Sequence, residues 1–143
     1  MSTISRILYR NMLISMNQSK IGGSPNKAKP LLVLCIIECI GDKTIVDNKI
    51  LFDVVAQKYK NYHPQLIGTI AKENYPFYFL ISDNFYHLKW KDVPIKTKAP
   101  SAKFIREHIE YAYLDNALWD LLQEPDVRQE YRELIINHYL KED

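Results

Sequence analysis

Apolar residues recur along this chain in two rhythms, one helical and one alternating. Ile4, Ile7, Leu8, Met12 and Met16 fall on one helical stripe, which predicts an N-terminal helix over residues 4–16. From Leu31 to Ile40 the chain is apolar nearly without interruption. Composition alone also allows a strand, but Pro30 at the start and Gly41 just past the end favour a helix, and a surface apolar nearly all round makes it the central buried one. Asp47-Asn48 predicts a cap for a second helix from Lys49 through Tyr59, with Ile50, Val54 and Val55 facing inward. Gln65 to Asn74 is mildly polar and reads as a connector or a short helix.

The alternating rhythm is strongest between Tyr75 and Trp90. Two runs rich in aromatic residues flank Ser82-Asp83-Asn84, which predicts a β-hairpin turning at Asp83-Asn84, since both residues tolerate positive φ. Pro76 has no N–H for a strand ladder and is expected at the mouth of the first strand. Beyond it, Ser101 caps an amphipathic helix from Phe104 to Leu114, and Asp115 caps a short one through Gln123. Pro125 opens a last helix whose Val127, Tyr131, Leu134, Ile135 and His138 share a face. These elements predict one domain over residues 1–143. Its class is α+β, mostly helical, with a winged-helix-like core and one prominent aromatic β-hairpin.

Charge adds an asymmetry that the net value of +2 conceals. Residues 1–103 carry 15 lysines and arginines against 7 acids, whereas residues 104–143 carry 4 against 10. The two irregular segments Lys20–Lys29 and Lys89–Pro100 concentrate lysine. This predicts a basic working face suited to a polyanion and an acidic structural end. Cys35 and Cys39, four apart on an apolar helix, are expected as small buried core residues. No apolar run is long enough to span a bilayer and no signal peptide is evident, so a cytoplasmic location without membrane contact is expected.

Catalytic signatures are missing. The sequence has no glycine-rich phosphate loop, no serine elbow, no zinc-type histidine pair and no CxxC, and its histidines at 63, 87, 108 and 138 fall on separate elements. The expectation is a protein that is not an enzyme and holds no cofactor and no metal.

The motifs in order do carry a family likeness. A basic loop, the start Lys29-Pro30-Leu31-Leu32-Val33-Leu34, then Tyr75-Pro76-Phe77 and Asp83-Asn84-Phe85-Tyr86-His87-Leu88 follow one another. Tyr111-Ala112-Tyr113-Leu114-Asp115 and Leu121-Leu122-Gln123-Glu124-Pro125 close the series. This arrangement resembles the non-catalytic N-terminal domain upstream of HNH nuclease domains in modification-dependent restriction enzymes. That group includes the sulfur-binding domains that recognise phosphorothioated DNA. The resemblance covers roughly residues 26–140 and leaves residues 1–25 as an N-terminal helix and basic loop. It implies that Tyr75 and Pro76 line a small apolar cavity for the sulfur atom. It implies that Lys29, with Lys27 nearby, contacts the DNA backbone, and that Lys103 or Arg106 supplies a further basic contact. The chain departs from the pattern at Asn84, where glycine is common, at Tyr86, where Trp is usual, and at Phe79, where a smaller residue is usual.

The resulting expectation is a DNA-binding recognition module of a restriction or defence system, reading double-stranded DNA with a plain or modified backbone. No HNH motif is present, so a catalytic domain or subunit would be a partner, and the chain would not cleave alone. Two other readings stay open: a protein-interaction domain that partners a nuclease without touching DNA, and a winged-helix transcription regulator.

Overall fold

A computed structural model describes residues 3–21, 23–62 and 72–141. A helix (α1, Thr3–Ile14) leads through a tiny antiparallel ribbon (β1, Lys20–Ile21; β2, Ser24–Pro25) into the longest helix among the described residues (α2, Ala28–Gly41). Helix α3 (Phe52–Tyr62) follows, then α4 (Asn74–Phe79), which runs on into a 3-10 turn at Leu80–Asp83. Strand β3 (Tyr86–Trp90), helix α5 (Ala102–His108), strand β4 (Ile109–Leu114), and helices α6 (Asn116–Leu121) and α7 (Pro125–Ile135) complete the order, with a π turn at Ile136–Leu140.

Helix α2 is central because it has no polar face to offer water. Eleven of its 14 residues are buried, and α3, α4 and α7 surround it. Each fully buried Leu or Ile there contributes about 1.5–3 kcal/mol relative to exposure. Cys35 and Cys39 are free thiols in this core, and burial pushes both upward in pKa, Cys39 to about 11. The helix starts two residues before Pro30, so Pro30 occupies the first turn, where its missing N–H costs nothing. Lys29 therefore lies inside that turn rather than ahead of it.

The mostly helical α+β class stands, but the hairpin does not. Residues 74–83 are helical, and the only strand in the aromatic stretch is β3. Its partner is β4, reached across α5, with Tyr86 opposite Leu114 and His87 opposite Tyr113. Residues 109–114 thus leave the helix predicted over 104–114 and become a strand. Strand preference in such aromatic runs is a preference for packing, and here packing favours α4. Phe77 and Tyr78 are buried, Phe77 meets Phe52 edge-on at 5.1 Å, and the Tyr86 hydroxyl donates to the Phe77 carbonyl at 2.6 Å. Asn84 does turn the chain with positive φ (69°), at the exit of the 3-10 turn rather than between two strands.

Other boundaries move for similar reasons. Helix α3 begins at Phe52, not Lys49. Asn48 caps nothing there, because its side chain brackets the Leu114 backbone at 2.7 and 2.9 Å. Ile50 bridges Ala112 and is fully buried. The cap at Ser101 is as expected, its hydroxyl accepting from the Phe104 N–H at 3.0 Å. Asp115 makes no side-chain cap, since its carboxylate takes the Tyr9 hydroxyl at 2.8 Å and His87 at 2.5 Å. Pro125 opens α7 as expected, and Val127, Tyr131 and Ile135 are buried, whereas Leu134 is half-buried and His138 exposed. The expected connector at 65–74 lies mostly outside the described residues.

Helix α1 turns a different face inward from the one predicted. Tyr9 and Leu13 enter the core, joined by Met16 of the predicted stripe just beyond the helix, leaving Ile4, Ile7 and Leu8 at 78, 55 and 52% exposure. Polar pairing decides the orientation. Arg6 bonds Glu130 and Asp126 of α7, and the Tyr131 hydroxyl donates to the Arg6 carbonyl at 2.7 Å. The acidic C-terminal segment is thereby partly neutralised by the basic N-terminal helix. Among the described residues no helix is long and apolar enough to cross a membrane.

Candidate nucleic-acid interface

The first turn of α2, the first turn of α4 and a strap that brings in residues 17–19 and 26 meet around one cavity of about 420 Å³. Ala28, Tyr75, Pro76 and Phe79 form its apolar side, and Asn17, Gln18, Ser19, Asn26, Lys29 and Ser82 its polar side. Pro76 can stand here because the third residue of a helix needs no N–H partner. Pro76 is buried, while Tyr75, at 37% exposure, stacks on Phe79 with ring centres 6.2 Å apart and planes 17° from parallel. Tyr78 braces Phe79 from behind in an edge contact at 5.0 Å. Its hydroxyl donates to the Ile95 carbonyl at 3.1 Å and accepts the Thr97 N–H at 3.2 Å, which ties down the second lysine-rich loop.

Lys29 supplies the charge at this cup. Its ammonium donates to Ser82 Oγ and to Asp83 Oδ2, both at 2.8 Å. The other Asp83 oxygen accepts the Asn17 N–H at 2.8 Å, so the strap and the cation are fixed to one carboxylate. The strap is held within itself as well. Asn26 bonds Ser19 through backbone and side chain, and its carbonyl accepts from Gln18 Nε2 at 3.0 Å.

The six residues expected at the interface do not all converge. Lys29, Tyr75 and Pro76 line the cup together, whereas Lys27, at the N-cap position of α2 without a side-chain cap bond, is not among the lining residues. Lys103 is not among the lining residues. It projects from α5 with its side chain 83% exposed, 3.8 Å from Glu107. Arg106 is committed elsewhere. It forms a forked pair with Asp53 at 2.7 and 3.0 Å and lies 5.5 Å over the Phe52 ring. That pairing raises its pKa further. Sequence reading missed Asn17, Ser82 and Asp83. The Lys29–Asp83 contact joins residues 54 apart, and nothing local in the sequence announces it.

His87, Asp115 and Tyr9 form a chain of contacts at the edge of the sheet, and the Tyr9 hydroxyl is pushed up to about 12 by burial and by Asp115. Among the described residues no group of three or more His, Cys, Asp and Glu is placed to hold a metal.

No protein-family model and no curated protein matches this sequence. Solved structures do match in fold. The sulfur-binding domain of ScoMcrA complexed with phosphorothioated DNA superposes with a TM-score of 0.72 at 13% identity, over 92% of this chain and 86% of that one. The sulfur-binding and SRA domains of ScoMcrA, also complexed with phosphorothioated DNA, give 0.71 at 14% identity, over 96% of this chain and 43% of that one. The Type IV phosphorothioation-dependent restriction endonuclease ScoMcrA gives 0.68 at 14%, over 97% of this chain and 30% of that one. The fold expected from the motifs is therefore the fold found.

Proposed function

We propose that this domain is a DNA-binding recognition module of a restriction system, and that its cup reads a phosphorothioated backbone phosphate. One observation carries the reading. Tyr75, Pro76 and Phe79 form an apolar wall facing a fixed lysine, on a fold shared with a domain seen on phosphorothioated DNA. Sulfur in place of a non-bridging oxygen is larger, softer and less hydrated. It enters an apolar cup at little desolvation cost, whereas an oxygen there loses its water and gains no partner. Lys29 and Lys27 neutralise the phosphate, and Lys103 acts as an outlying contact to the same backbone. Arg106 serves the fold through Asp53. Recognition is this domain's part, and cleavage falls to another domain or subunit.

A protein-contact role for α1 stands beside this reading, favoured by the exposed Ile4, Ile7 and Leu8 at helical spacing. Binding of the 143-residue chain to matched plain, methylated and phosphorothioated duplexes at fixed salt separates the two. Preference for the phosphorothioated duplex supports the cup. Absence of binding to every duplex at micromolar protein leaves protein contact as the function.

A further inference from the structure

Asp83 is a buried carboxylate at the edge of the cup, its side chain 3% exposed against 15% for Lys29. It faces two ways, toward the Asn17 N–H and toward the Lys29 ammonium, each at 2.8 Å. Ser82 Oγ takes the same ammonium at 2.8 Å from a second side. A lysine has three N–H donors, so one is left for a ligand.

We propose that Asp83 is the specificity-determining residue of the cup. It tethers the Lys29 ammonium at the rim, where the cation neutralises phosphate charge but cannot follow an oxygen into the apolar pocket. The proposal rests on the reading of the cup as a sulfur site. Discrimination against ordinary phosphate requires that a buried oxygen find no donor. A freely swinging ammonium is the donor that would rescue it, and sulfur, a weak acceptor, would gain less from the same rescue. Through its other oxygen Asp83 holds the strap that carries Asn17 along the polar side. One carboxylate thus sets how far apart the donors and the apolar wall remain.

The test uses the full 143-residue chain with Asp83→Asn, Ser82→Ala, Lys29→Gln, and Asp83→Asn combined with Lys29→Gln. Each competes for plain and phosphorothioated duplexes of one sequence. Asp83→Asn should tighten binding of the plain duplex about tenfold, the size of one charge-assisted hydrogen bond gained, and so bring the ratio of affinities toward one. Ser82→Ala, at an exposed position, should move the ratio the same way by less. In the Lys29→Gln background Asp83→Asn should leave the ratio of the two affinities where it was, since the lost carboxylate charge and any slackening of the strap act on both duplexes alike. Equal weakening on both duplexes, or an unchanged ratio in both Asp83→Asn and Ser82→Ala, overturns the proposal. If Asp83→Asn fails to fold, Ser82→Ala decides alone. A wild type that prefers sulfur while the variants keep its ratio removes only the role of Asp83. A wild type with no preference removes the reading of the cup and this proposal with it.

Discussion

Truncating Tyr75 to alanine separates a structural ring from a recognition wall. The ring is 37% exposed and its described aromatic partner is Phe79, stacked at 6.2 Å. A fully buried aromatic would cost about 3–5 kcal/mol on truncation. Partial exposure and a single stacking partner, itself contributing about 0.5–1.5 kcal/mol, reduce that to roughly 1–2 kcal/mol. The fold therefore survives, and the melting temperature falls by only a few degrees, about 3–7 °C for a chain of this size. The effect on recognition is of another kind. Opening the wall admits water beside the bound phosphate, so an oxygen no longer goes without a partner. The preference for sulfur, worth about 1–3 kcal/mol or roughly 5- to 150-fold, should fall toward one. Tyr75→Phe keeps the ring and should keep the preference. Competition titration of both duplexes against folded variants, with melting curves on the same samples, is the assay. A Tyr75→Ala protein that is less stable yet keeps its preference refutes the reasoning.

Three further outcomes follow from the contacts described above. Lys29→Gln should flatten the salt dependence of DNA binding by about one unit in log–log slope, whereas Arg106→Gln should leave the slope unchanged, as titrations at several salt concentrations will show. Tyr86→Phe removes the buried hydroxyl that donates to the Phe77 carbonyl, and denaturant unfolding should show a loss of about 1–2 kcal/mol. Tyr9 and Tyr131 rise from an ordinary value of 10.0 to about 12, through burial first and then Asp115 or Glu130. Folding thus favours their protonated forms, so the stability they contribute is complete below pH 10 and is lost between pH 10 and 12. Melting curves across that window check it.

Where the sequence was legible, one segment held its own explanation. Leu31 to Ile40 is apolar nearly all round and carries its own end signals in Pro30 and Gly41, and Ser101 caps α5 with a hydroxyl three residues from the N–H that it meets. Where it was not, the decision lay with a distant partner. Tyr75 to Phe79 has strand composition, but the core offered Phe52 and Tyr86 to a helix instead. Tyr111 and Tyr113 continue a helical pattern until β3 claims them. The site shows the same division. Tyr75, Pro76 and Lys29, which short motifs single out, line one cavity, although Tyr75 and Pro76 reach it from a helix and not from a strand. Asp83, which fixes Lys29, carries only a turn signal in the sequence, because turn chemistry and ion pairing use the same side chain. Lys103 and Arg106 stand outside the cup, Arg106 because Asp53 holds it.

The central claim is a contact between one sulfur atom and one wall. A crystal structure of the chain bound to a singly phosphorothioated duplex, with the sulfur located by its anomalous scattering, tests that contact directly. The account predicts the sulfur in van der Waals contact with Tyr75 and Pro76, about 3.5–4 Å from their carbons, with the Lys29 ammonium on the phosphate's charged side. A sulfur facing solvent, or a duplex lying across another face with the cup empty, would contradict it.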